Sequence, residues 1–290
     1  MRRRDFLGGT AALPAAAGAA QQARGTGSWE PVAFARRDLA LRAVPFPMTA
    51  VRLLDGPCKA AQEANRKYLY RLPPDRLIHN FLVTAGLPSA AEPLGGWEEP
   101  KGELRGHFTG HYLSACALSY ASSSDTELRK KGDTIVAELA KCQSALGEGY
   151  LSAYPREFWD RLKNGTRVWA PFYTLHKIMA GLLDMHQLAG NQQALSVVEN
   201  MAGWVDRWTE PLGEERMQKV LDVEYGGMGE ILYNLWAVTG KARYAEIGHR
   251  FDHKHFFDPL ALRRDELKGL HVNTHVPEVI GAARRYELTQ

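Results

Sequence analysis

The sequence predicts an all-α fold in which helical hairpins stand side by side as an α/α toroid. Three observations predict it. From Cys58 onward apolar residues recur at helical spacing, and strand signals are sparse. Four glycine- and alanine-rich segments begin with a polar or special residue, at His111, His176, Gly226 and His275, and the last three recur about every fifty residues. Each such segment pairs with a more polar one, such as NQQALSVVENMAGWVDRW. Inner helices that are apolar almost all round, wrapped by amphipathic outer ones, favour a toroid over an open solenoid.

The elements follow in order. MRRRDFLGG, with Arg3-Arg4 ahead of Phe6-Leu7 and an alanine-rich run to Ala20, reads as a twin-arginine export signal over residues 1–20. Residues 21–44 read as a flexible leader, and PFPMTAVRLLDGP as an extended lead-in to a catalytic-type domain over 45–290. Periodicity predicts helices over 58–71, 74–86, 107–122, 126–146, 171–189, 192–208, 225–239, 241–254 and 275–288. The connectors 87–106 and 147–170 carry Trp97, Tyr150, Tyr154, Trp159 and Trp169, and long aromatic connectors more often line a site than dangle.

Composition narrows the partners. The formal charge of +3 over 290 residues falls to about +1 once Arg2, Arg3, Arg4 and Asp5 leave with the signal, which removes the case for nucleic acid. No remaining run is long enough to span a bilayer, so the product is expected to be periplasmic or secreted. Cys58, Cys116 and Cys142 form no CxxC or Cys/His cluster, and all three read as buried structural thiols.

GHFTGHYLSA sets His107 and His111 four apart on one helical face. A zinc protease places a glutamate directly after the first histidine, and here that residue is Phe108. The repeat gives these histidines another setting. If the inner helices run the same way, His111, His176, the Gly226-Gly227/Glu230 group and His271/Asn273/His275 converge at one end of the ring. Helix N-termini there offer free N–H groups, and His, Glu, Asn, Tyr and Trp supply what a sugar pocket needs. His107 is as readily a cap as a ligand. His186, His249, His253 and His255 read as surface or helix-end residues. Met228, Ile231 and Leu232 place Glu230 on a buried face, where a carboxylate requires a partner. Tyr120, Tyr233 and Trp236 read as core.

LLDGPCKAAQEANRKYLYRLPPDRLIHNFLVTAGL, GGWE, GHFTGHYLSACAL, GYLSAYPREFWDRL, VWAPFYTLHKIMAGLLD, EYGGMGEILYNLWAVTG and HVNTHVPEVIGAARRYE together resemble glycoside hydrolase family 127, the β-L-arabinofuranosidases and their relatives. The resemblance runs from about Pro45 to the end. It implies an (α/α)6 barrel followed by β-rich domains, cleavage of arabinofuranosyl linkages in plant glycans, and an exported location. It also implies a cysteine nucleophile held by zinc with other cysteines and a glutamate, and a second glutamate as acid/base. Those motifs lie beyond the HxNTxxP element, here His271 to Pro277, so no catalytic residue and no zinc ligand is assigned in this chain. Zinc is expected in the full-length family enzyme. By the same resemblance His111, His176 and Glu230 occupy sugar-contacting positions, with His271 and Asn273 close by. The chain departs from the pattern at His275, often glutamine in relatives, and at Glu278, often basic.

About four hairpins are visible where a closed (α/α)6 ring needs six, so the barrel is read as incomplete in this chain and prone to self-association through exposed inner faces. The function expected is the N-terminal part of an exported arabinofuranoside hydrolase, inactive as this chain alone. Two other classes compete. Another α/α-toroid carbohydrate enzyme, a polysaccharide lyase or sugar epimerase, would use pocket histidines and tyrosines as acid and base. A non-catalytic module would bind glycan without cleaving it.

Overall fold

A computed structural model describes residues 46–289. The export signal over 1–20 and the leader over 21–44 lie outside the described residues. The chain forms α1 (Pro57–Arg71), α2 (Pro74–Thr84), α3 (His107–Ser123), α4 (Thr126–Leu146), α5 (Glu157–Lys163), α6 (Pro171–Ala189), α7 (Gln192–Thr209), α8 (Gly213–Leu221), α9 (Met228–Thr239), α10 (Arg243–His249), α11 (Lys254–Ala261) and α12 (Val272–Thr289). No strand occurs among the described residues, and none of their helices is long and apolar enough to cross a membrane.

Local chemistry sets the ends. Pro57, Pro74 and Pro171 open α1, α2 and α6, where a missing N–H costs nothing. The Asp125 carboxylate accepts from the Glu127 and Leu128 amides at 3.1 and 3.0 Å to start α4, and Asn191 caps α7 through Ala194 N at 2.8 Å. Gly190 and Gly240 stop α6 and α9.

The inner helices α3, α6, α9 and α12 run parallel, with α4, α7 and α10 on the outside. Gly110 meets the backbone of Lys177 and Ile178, while about two turns further Cys116 and Met185 both border Gly132 of α4. Gly281 lies against Gly229 and Glu230, and Arg284 donates to Asn234 Oδ1 at 2.7 Å. The layout is that of an α/α toroid.

The register differs from the sequence reading in one helix. His275 was expected level with His111, His176 and Gly226. The residue of α12 that faces the first turn of α9 is instead Gly281, and α12 starts at Val272, ahead of that level. The period of about fifty measured the motif, not the start of the helix.

Other boundaries moved for local reasons. Gly226 adopts a left-handed φ of 59°, which delays α9 to Met228. The segment expected as one helix over 241–254 splits, because His253 is extended (φ −83°, ψ 98°) and opens α11 instead. Helices α5 and α8 are too short for periodicity to reveal.

The 147–170 connector contributes core rather than site. Tyr150, Tyr154 and Trp159 are fully buried, and Trp159 lies 4.8 Å from Trp204 and 4.9 Å from Phe172 between ring centres. Trp97 and Trp169 stay exposed. Cys116 and Cys142 are buried, as expected, but Cys58 is exposed on the first turn of α1. Cys58 should therefore react with a maleimide within minutes in the native protein and the other two only on unfolding. Mass spectrometry after a short pulse checks this, and equal labelling of all three would contradict the packing.

Candidate functional site

The N-terminal ends of α3, α6 and α9 meet, and their first turns carry the polar side chains. Glu98, in the GGWE segment, is buried and reaches the start of α3 from outside the helix. Its carboxylate accepts from Gly106 N at 2.6 Å and Phe108 N at 2.9 Å, which satisfies two amides the helix leaves free. The His107 Nδ1 proton faces both Glu98 Oε1 at 2.6 Å and Leu104 O at 2.8 Å. His107 is thus a buried anchor for the helix start. Gly106 makes the turn possible: its φ is 101°, and a Cβ would stand 2.8 Å from that of Ala153.

His176, on the second turn of α6, is 6% exposed, and its Nδ1 accepts from Gly227 N at 3.0 Å. An Nδ1 that accepts leaves the ring proton on Nε2. Burial, and then Lys177 and His111, hold His176 well below the usual imidazole range. His111 stands at the open mouth of this region. The surrounding protein, then Lys177 and His107, push it down to about 4. Near pH 7 both rings are neutral hydrogen-bonding groups.

Glu230, in the first turn of α9, is half-buried, and burial raises its carboxyl, partly offset by Lys177 and Arg284. A Cβ placed on Gly227 would sit 2.8 Å from His176 Nε2 and 3.0 Å from Glu230 Oε2. Glycine at that position therefore keeps both polar atoms free to face the same space. Lys177 lies 4.9 Å above the Tyr173 ring, and burial lowers its ammonium against the pull of Glu230 and Glu224. Deeper along α6, burial raises Asp184 to about 6, opposed by the Ser114 hydroxyl and reinforced by Glu230.

The structure thus brings together His111, His176 and Glu230, with His107 beside them at 5.9 Å from the His111 ring. His271 and Asn273 are exposed on the approach to and first turn of α12. Among the described residues no hydrogen bond, ion pair or ring contact joins either of them to that trio. Sequence reasoning missed Glu98, Lys177, Tyr173 and Asp184. Asp184 carried a signal, a lone carboxylate in an apolar inner helix, and so did Lys177 beside His176. His253, expected at the surface, is 5% exposed, because α12 packs against it through Glu278.

A zinc held by cysteines does not fit the residues present. Cys116 and Cys142 sit in apolar surroundings that push both thiols up to about 12, and no described cysteine belongs to a group of potential metal ligands.

The histidine shifts have a testable sign. Unfolded, His176 takes up a proton below about pH 6.5; folded, it resists. Its contribution to stability is full above pH 6.5 and declines as pH falls. His111 acts alike until about pH 4, while Asp184, raised to about 6, favours the folded state on acidification through that value. His176→Asn keeps an acceptor for Gly227 N–H but removes the proton. The drop in unfolding free energy from pH 7 to 4.5 should therefore shrink in this variant. Urea titrations at the two pH values measure it, and equal drops would mean His176 is not held neutral.

Parallel inner helices with polar side chains gathered at their N-terminal ends define an α/α toroid with a candidate site at one end. The family model described as the Beta-L-arabinofuranosidase, GH127 catalytic domain matches residues 50–290, and the chain belongs to that family. It carries the catalytic domain of a glycoside hydrolase, and its substrates are carbohydrates. No curated protein matches the chain at a significant level.

Proposed function

We propose that the chain is the N-terminal part of an exported glycoside hydrolase acting on arabinofuranosides of plant glycans, and that His111, His176 and Glu230 bind the furanose. One observation carries the reading: the His176 imidazole and the Glu230 carboxylate share the space that Gly227 leaves open, and His111 stands beside His107 close enough to act on His176 electrostatically. His176 Nε2–H donates to a sugar hydroxyl, and Glu230 accepts from one. His111 can do either, because its proton can sit on either nitrogen. Trp97 and Tyr173, each about 6 Å from the His107 ring, offer faces for the apolar side of a sugar. His271 and Asn273 join as outer contacts only where the glycan extends past α9 toward the start of α12. None of these residues is assigned as nucleophile or proton donor. Hydrolysis with retention needs both.

The test is binding of a β-L-arabinofuranoside, followed by ligand-observed NMR. His111→Ala and His176→Asn should each weaken it about tenfold, the worth of a hydrogen bond to a neutral group. Preference for an arabinopyranoside, or affinity indifferent to both substitutions, would sink the assignment.

We also infer that the domain self-associates. Val272, Val276, Val279 and Ile280 form an exposed apolar row on α12. Light scattering should give more than the monomer mass, and a monodisperse monomer at high concentration would count against it.

A further inference from the structure

Away from the sugar site, His253 and Glu278 are buried and unpaired. Neither ring nitrogen of His253 and neither oxygen of Glu278 has a hydrogen-bond partner, although the Glu278 side chain is 0% exposed. A carboxylate in that position without a partner is strongly unfavourable. The nearest groups do not resolve it. His253 Nδ1 is 3.7 Å from Glu278 Oε2, too far for a hydrogen bond. The Tyr225 hydroxyl faces the same carboxylate and is unpaired too. The void beside them measures about 10 Å³, at the lower limit for a single water.

A third residue completes a set. His275, one turn before Glu278 on α12, brings a ligand atom within 4.8 Å of both others. Its Nδ1 is 2.8 Å from the His271 carbonyl, which can only accept, so the ring proton is on Nδ1 and the lone pair on Nε2 is free. The Phe256 ring packs 4.7 Å from that of His275. His253 turns its Nδ1 toward Glu278, while Asp222 Oδ1 lies 3.4 Å from its Nε2 without forming a hydrogen bond. A carbonyl-oriented imidazole such as that of His275 is a usual feature around a metal-bound histidine. A surface groove of about 600 Å³, bordered by His253, Asp222 and Glu214, offers an entry path.

We propose that His253, His275 and Glu278 bind a divalent transition metal, with zinc best suited to two imidazoles and one carboxylate, and that the metal ties the start of α12 to the loop before α11. Magnesium and calcium are excluded by the donor set, since both favour oxygen ligands. Bonds of about 2.0–2.2 Å draw the three atoms inward and leave a fourth position for water. This site shares no ligand with a zinc–cysteine centre. Its consequence runs through Tyr225, whose hydroxyl faces Glu278 and which lies two residues before Gly227, the donor to His176 Nδ1.

The experiment is cobalt titration of the EDTA-treated protein, read by visible absorption and by metal content after dialysis, with zinc competing. The expected result is one equivalent with a tetrahedral-type spectrum, displaced by zinc. His275→Gln and Glu278→Gln should each weaken that equivalent by more than about 100-fold, beyond the 10- to 100-fold that follows loss of an outer partner. His275 is only half-buried, so its variant keeps the test valid even if Glu278→Gln fails to fold. Absence of bound metal in the unsubstituted protein overturns the proposal. So does an equivalent that survives His275→Gln, because the metal then lies elsewhere.

Discussion

Gly110→Ala will cost the domain more than about 3 kcal/mol and remove most of its soluble yield. A methyl group there would overlap the carbonyl of Lys177 outright and stand 2.6 Å from the amide nitrogen of Ile178. These are backbone atoms in the middle of α6, so no rotamer change relieves the clash. Gly181 repeats the arrangement in reverse, its absent Cβ filled by the Gly110 carbonyl and by Leu113 Cβ at 2.9 Å. The two helices can move apart only by opening the pairing around which the site is built. Gly203→Ala, on α7, is the control. Its Cβ would meet only Arg207 Nη1 at 3.5 Å, so the better helix propensity of alanine should raise stability by up to about 1 kcal/mol. Denaturant midpoints for the two variants separate backbone contact from a general intolerance of substitution. An unchanged midpoint for Gly110→Ala would mean that α3 and α6 are not in backbone contact.

Glu98→Ala will be the most damaging change at the site itself, at about 3 kcal/mol. The Gly106 and Phe108 amides and the His107 Nδ1 proton would all lose an acceptor, while Leu104 O retains only the last of them. Glu98→Gln keeps one accepting oxygen and should lose about half as much. The pair also reports on function. Because Glu98 fixes the helix that carries His111, sugar affinity should fall in Glu98→Ala even where the protein is fully folded. Stability indistinguishable from wild type in both variants would show that the start of α3 does not depend on this carboxylate.

These two residues illustrate what the chain disclosed and what it withheld. The helical period, the proline starts and the glycine stops are local, and α3, α4, α6 and α7 lie within a residue of their predicted bounds at either end. His111, His176 and Glu230 were grouped because each sits near the start of an inner helix and the repeat aligned them, and the structure does bring those helix starts together. Glu98 was not singled out, because it acts on a helix that begins nine residues later, across a connector with no periodicity. Gly110 and Gly181 looked like ordinary small residues, since what occupies the space of a missing side chain comes from another helix. His253 was misplaced for a related reason: its burial depends on α12 arriving from more than twenty residues downstream. Long-range packing decided each of these, and a local pattern carries no trace of it.

The glycine contacts between inner helices also limit how the domain can diversify. Where backbone rests on backbone, the distance between neighbouring staves is set by peptide dimensions rather than by exchangeable side chains. Replacing side chains at the helix starts can change which polar groups are presented there, but it cannot widen the spacing between α3 and α6. Descendants that accept a bulkier sugar must therefore find the room in the connectors above the helix starts, where length is free to vary.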